Sequence, residues 1–277
     1  MYNFQQKLKS LKTRIKRWNK DSFGNIFQAK KKLDLRIKEV QLEIHRTGST
    51  ADLKAQEWLL LQELNLKEKQ EEALFERKSR NQWLRDGDRN TKFFHKATVQ
   101  HRLNNHIDRF KRTDCSAGVT QQDLEETLTE YYADLLEEPA VDKRQAQAEV
   151  LGHIPRIITP KHNQILMRPI DMIKLEEAVR KMAKDKAPGL DGFTTNFFQE
   201  GWEWLKDDIL DIVENSRKTG GILKAFNATF LTLIPKENGT EGPGKFQPIA
   251  LCNVIYKIIT KVIVNCLRPL LSILISP

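Results

Sequence analysis

The 277-residue chain carries 46 Lys and Arg against 37 Asp and Glu, a formal charge of +9, with 39% apolar and 30% charged residues. That length holds one or two domains with a buried core, and the apolar content excludes a wholly disordered chain. Cys115, Cys252 and Cys266 are odd in number and far apart, which argues against a disulfide framework and for a reducing compartment; no run of about 18 uncharged apolar residues marks a membrane span.

Residues 1–20 carry Lys or Arg at seven positions and no acid. The segment superficially resembles a transit peptide. It lacks an apolar core and a small-residue cleavage site, so a secretory signal is excluded and a nuclear or cytoplasmic location is expected. Residues 1–118 are net +12, residues 119–186 net −3 and residues 187–277 neutral. The surplus of positive charge therefore sits in the first block. It suits RNA or DNA phosphate, the alternative being a solvated helical surface.

Two helices are predicted first, over 28–45 and 51–80. Leu33, Ile37, Val40 and Ile44 step by three or four, and Leu53, Leu60, Leu64 and Leu74 share a face at longer multiples. Gly48 is placed to take a left-handed cap, and Ser49 with Asp52 to open the second helix. A hairpin of two helices is more often a spacer or packing arm than a catalytic unit. Residues 81–118 turn polar, then aromatic, then basic. There Arg85, Arg89, Lys92, Arg102, Arg109, Lys111 and Arg112 surround Phe93, Phe94 and His95. Cations interleaved with rings suit RNA, where phosphates need charge and unpaired bases stack; the alternative is a local aromatic core with solvated cations.

A helix follows over 120–137, with Thr120 and Asp123 as a capping pair. Residues 138–170 are broken by Pro139, Pro155, Pro160 and Pro169, and a soft boundary is placed there. Helices are predicted over 172–185 from Asp171, and over 195–217. Between them Pro188, Gly189, Asp191 and Gly192 form a tight loop, either a template contact or a structural turn whose Asp191 caps backbone amides. Residues 228–234 read as a strand, 246–251 as a second extended segment, and 253–267 as a buried helix that Pro269 ends or restarts. Asp86 and Asp88 fail the EF-hand pattern, and His95, His101, His106 and Cys115 match no zinc spacing, so no metal site is assigned.

Several of these segments carry a resemblance. Gly87 through His95 resembles "GDRNTKFFH", and Lys186 through Phe193 resembles "KAPGPDGF". Leu233 through Lys236 resembles "LIPK", Phe246 through Leu251 "FRPISL", and Leu251 through Ile259 "LCNVLYKIIS". Trp18-Asn19-Lys20 with Phe23-Gly24-Asn25-Ile26 looks like a basic linker of the same source. In this order the motifs resemble the reverse transcriptase polyprotein of plant long-interspersed, non-LTR retrotransposons.

The resemblance implies a polyprotein fragment. The expected fold is α+β, mostly α, with a basic helical arm over 1–118, a helical connector over 119–170, and an incomplete right-hand polymerase fingers subdomain over 171–277. The endonuclease and palm are expected outside the chain, as polyprotein partners. No catalytic residue and no cofactor is assigned here, although the complete family enzyme implies Mg²⁺. Tyr132-Ala133-Asp134-Leu135 looks like the palm's aspartate turn but lacks the second aspartate and falls in a helical pattern. By resemblance Lys236 reaches the incoming nucleotide's phosphates. Gln247 stands where the family has an arginine, and keeps hydrogen bonding while losing charge. Cys266 also replaces a usual arginine. Polymerisation by the chain alone is not expected. The alternatives are a nucleic-acid-binding module that uses the basic arm, or an unselected pseudogene product.

Overall fold

A computed structural model describes residues 1–79, 110–111, 117–118, 120–137, 143–153, 157–184, 186–237 and 242–274, with the separate residues 96, 98–100, 103 and 107. The described part is mostly helical, with two small two-stranded sheets. The chain divides into two compact units, residues 10–108 and residues 1–9 with 109–277. The first nine residues thus group with the C-terminal part, although composition places them in the basic block.

The unit of residues 10–108 holds most of helix α1 (Tyr2–Ser22), helix α2 (Ile26–Thr47) and helix α3 (Ala51–Ser79). Leu33, Ile37 and Val40 of α2 are buried with Leu60 of α3, and Ile44, Leu53 and Leu64 pack against them. The three-and-four spacing predicts this seam, which is that of an antiparallel helix pair. Lys30 and Glu71 close it at the far end with a 2.5 Å ion pair. The turn between the helices uses Gly48 at positive φ (+88°), but with ψ 163° it is extended rather than the left-handed cap expected. The opening cap differs: the Thr50 hydroxyl, not Ser49, accepts the Leu53 amide at 3.3 Å. Helix α1 is not among the predicted helices, because its basic side chains hide the apolar positions Phe4, Leu8, Leu11 and Ile15.

The second unit contains short strands β1 (Phe110–Lys111) and β2 (Ala117–Gly118) and helix α4 (Gln121–Leu136). Helices α5 (Arg144–Gly152) and α6 (Pro160–Leu166) follow in the proline-broken stretch, α6 with Pro160 in its first turn, where the missing amide costs nothing. The expected capping box of Thr120 and Asp123 is present on α4. Helix α7 (Met172–Arg180) starts at Asp171 as predicted but stops five residues earlier than expected. Buried Gln199 explains the stop: its Nε2 donates to the carbonyls of Val179, Arg180 and Met182 at 2.8, 3.2 and 2.9 Å, which satisfies the free helix end.

The single helix predicted over 195–217 is two, α8 (Thr195–Glu200) and α9 (Trp202–Thr219). They meet at Gly201, where a Cβ would lie 3.0 Å from the Phe197 carbonyl oxygen and 3.1 Å from Leu205. A short helix α10 (Lys224–Asn227), strand β3 (Thr229–Pro235), a 3₁₀ turn (Pro243–Lys245), strand β4 (Phe246–Cys252) and helix α11 (Val254–Leu274) complete the unit. Helix α11 runs through Pro269 rather than ending there. The core gathers Leu175 and Val179 of α7, Phe198, Trp202, Ile209 and Ile212 of α8 and α9, and Ile255, Ile258 and Ile259 of α11, all nearly inaccessible. Phe4 and Leu8 are also buried, and the Phe4 ring meets Phe226 edge to face at 6.4 Å. Lys7 adds a 2.8 Å ion pair to Asp208. Apolar contacts from the first turns of α1 therefore complete a core made otherwise by residues some 200 positions away.

Candidate nucleotide and nucleic-acid interface

Strands β3 and β4 pair antiparallel from Thr229 with Cys252 to Pro235 with Phe246. The β-branched run Thr229–Ile234 favours this extended state, and Pro248 is tolerated because a two-stranded sheet has only edges. Beyond the last pair, the Lys236 amide donates to the Lys245 carbonyl at 3.1 Å, which extends the ladder into the turn. Ile234 lies opposite Gln247. Strand alternation then puts Lys236 and Gln247 on one face of the hairpin, as diagonal neighbours, and both are exposed. The Lys236 ammonium donates to the Gly244 carbonyl at 3.1 Å.

That turn is held from outside. The Tyr132 hydroxyl donates to the Pro243 carbonyl at 3.4 Å, and a Cβ on Gly244 would lie 3.1 Å from the Tyr131 hydroxyl. Burial, then the neighbouring Tyr131, pushes the Tyr132 hydroxyl above its ordinary pKa, so Tyr132 stays a donor. Tyr132, Ala133 and Asp134 lie on helix α4, the helical setting expected of them.

Pro188, Gly189, Asp191 and Gly192 form a turn closed by the Gly192 amide on the Gly189 carbonyl at 3.1 Å, with Gly192 at φ +84°. Asp191 accepts the Phe193 amide at 3.0 Å, the amide-capping role among the two readings of the loop. Gly189 is buried, and a Cβ there would fall 2.5 Å from both the amide nitrogen and Oδ1 of Asn253. No other residue fits so close a backbone approach.

Asn253 organises this region. Its Oδ1 accepts the Asp191 amide at 3.0 Å, and its Nδ2 donates to the carbonyls of Ala225, Phe226 and Ala228 at 2.9, 3.3 and 3.3 Å. Lys257, one turn along α11, donates to the Ala187 carbonyl at 3.4 Å. One buried amide thus joins the glycine turn, helix α10 and the junction of β4 with α11. In the sequence Asn253 stands only as one position of a motif. Its signal is that of a lone Asn between two apolar runs, where only a satisfied amide survives burial.

Arg85, Arg89, Lys92, Phe93, Phe94, His95, Arg102, Arg109 and Arg112 lie outside the described residues. So do Asp86, Asp88, His101, His106 and Cys115. Lys111 is described only as backbone, in β1 opposite Ala117. Among the described residues, no three His, Cys, Asp or Glu side chains gather as a metal-holding group, and no helix is long and apolar enough to cross a membrane.

No protein-family model matches the chain. It is similar to the Transposon TX1 uncharacterized 149 kDa protein of Xenopus laevis, 27% identical over 213 residues. The match covers 77% of this chain and 16% of that protein, so the chain spans a minor part of its relative's length. The likeness connects the chain with transposon-encoded proteins.

Proposed function

We propose that this chain is a segment of a non-LTR retrotransposon reverse transcriptase polyprotein, carrying the fingers edge and the basic arm before it. The observation that carries the reading is the meeting, through Asn253, of sequence segments that resemble that family: the 186–193 turn and the β4–α11 junction are bonded to each other, and the hairpin holding Lys236 continues into the same junction. Likeness to a transposon-encoded protein over 77% of the chain supports it.

In this reading Lys236 meets the phosphates of an incoming nucleotide as a mobile point charge. Its bond to the Gly244 carbonyl is an exposed one, exchanged at little cost for a charge-assisted bond to phosphate. Gln247 sits beside it and supplies a neutral amide. In this reading Mg²⁺ and the polymerisation step belong to the complete family enzyme. The chain's polymeric partner is nucleic acid, held by the basic arm.

Nucleoside triphosphate binding tests the nucleotide half. Lys236→Ala is expected to weaken binding about tenfold, and Gln247→Arg to strengthen it about tenfold, since a charge-assisted hydrogen bond contributes about 1.5 kcal/mol or more. Binding indifferent to both substitutions overturns the assignment.

A further inference from the structure

The segment Trp18-Asn19-Lys20 with Phe23-Gly24-Asn25-Ile26 has no place in the nucleotide site, yet it is built with care. Helix α1 ends where the Phe23 amide donates to the Asn19 carbonyl at 3.0 Å and the Gly24 amide to the Lys20 carbonyl at 3.1 Å. Gly24 then takes φ +57°, the left-handed conformation that a side chain would strain. Asn25 caps α2 by accepting the amides of Phe27 and Gln28 at 3.1 and 3.2 Å. Three residues, Phe23 to Asn25, separate the helices, and hydrogen bonds at both helix ends fix the elbow.

This construction presents an aromatic ring among cations. Trp18 is 58% exposed and is braced edge to face by Phe23, with ring centroids 5.1 Å apart. On α1, Arg14 lies one turn before the ring and Arg17 beside it, while Lys16 and Lys20 fall on the far side of the helix; all four are exposed and have no carboxylate partner among the described residues. Asp21 is the single acid of α1. A bland solvated face would show i,i+4 ion pairs, as the other unit does between Glu176 and Arg180 and between Glu177 and Lys181. A membrane surface would ask for several exposed aliphatics beside the cations, whereas Ile15, 41% exposed, is the one exposed aliphatic of α1.

We infer that the α1–α2 elbow is a binding site for single-stranded nucleic acid, with Trp18 as the base-stacking platform and Arg14 and Arg17 on the phosphates. The site rests on the nucleic-acid half of the proposed function and locates it in residues 14–23. Stacking on an aromatic face is indifferent to base identity, and a braced ring has already given up the rotamer freedom that binding would cost. The cations supply affinity through counterion release. A duplex keeps its base faces covered, so only an unpaired strand uses both features.

Fluorescence anisotropy of the full chain with labelled single-stranded RNA, the same sequence as DNA, and the matching duplex tests this. Trp18→Ala is expected to weaken single-strand binding about tenfold at unchanged salt slope, and Trp18→Phe to restore most of it. Arg14→Ala with Arg17→Ala should flatten the slope of log affinity against log salt by about 1.4, at roughly 0.7 for each phosphate left without its cation. Weaker binding on Trp18→Ala in either the RNA or the DNA arm supports the site, and the two arms identify the strand it takes. Single-strand binding unchanged in all these variants overturns the elbow while leaving the broader nucleic-acid reading standing. Duplex binding as tight as single-strand binding, and equally indifferent to Trp18, also overturns it. A parent chain that binds none of the three at low salt removes both.

Discussion

In the unit of residues 1–9 and 109–277, Lys7, Arg180, Lys181, Lys184, Lys206 and Arg217 each face a carboxylate. In the unit of residues 10–108, Arg14, Lys16, Arg17 and Lys20 face none among the described residues. The same residue types therefore do different work. Paired cations cover a folded body at little net gain or cost. Unpaired cations on one helix repel one another, and that arrangement is relieved by an outside anion. Asn253 and Gln199 spend their donors on backbone carbonyls inside the second unit.

Ways to break this contrast begin with the core. Phe4→Ala should lower the stability of the second unit by about 3–5 kcal/mol, because it empties a buried aromatic site, and should leave the α2–α3 seam protected. Hydrogen exchange would show it, and equal loss of protection in α2 and α3 would mean that the two units are not separate. Gly189→Ala is expected to cost about 3 kcal/mol, since the new methyl collides with Asn253 backbone and side chain together. Asn253→Ala should cost about 2–3 kcal/mol by leaving buried groups unsatisfied. Denaturant midpoints measure both, and a neutral result at either position would refute the keystone role of this junction.

Acid provides a gentler probe. The Arg217 guanidinium, with the Ile170 amide, holds Glu214 below its ordinary pKa against the opposing effect of burial. A carboxyl depressed in the folded state contributes stability that is present above its unfolded pKa, about 4.3, and is lost as pH falls through the folded value. Glu214→Gln should therefore flatten the loss of stability below about pH 4 and do little at pH 7 beyond removing the ion pair. The smallest effect is expected from Lys7→Ala. Its pair with Asp208 is largely exposed on the lysine side, so stability should change by about 1 kcal/mol or less. Thermal melts that shift as far as those of Phe4→Ala would show that the charge, not the ring, anchors the first helix.

Much of this architecture is legible in the sequence. The seam positions Leu33, Ile37, Val40 and Leu60, the capping box of Thr120 with Asp123, the start at Asp171 and both strands of the hairpin follow from periodicity, capping and β-branched runs. The features that escape such reasoning depend on partners far away in sequence. Gln199 ends helix α7 from outside it, so the pattern of α7 itself carries no stop. Gly201 divides one apparent helix because of a close approach that only the folded neighbours impose. Phe4 reads as one aromatic among lysines until Phe226 is beside it. At the candidate site, alternation along the strands places Lys236 and Gln247 on one face, but the role of Asn253 needs three carbonyls and an amide that no local window contains.

Primer extension in Mg²⁺ with an annealed template–primer and all four deoxynucleotides addresses the central claim most directly. The account predicts that the purified chain binds the template–primer with salt-dependent affinity and adds no sustained run of nucleotides. Processive extension that persists after Lys236→Ala would contradict it, for the chain would then hold a complete polymerase centre away from the hairpin.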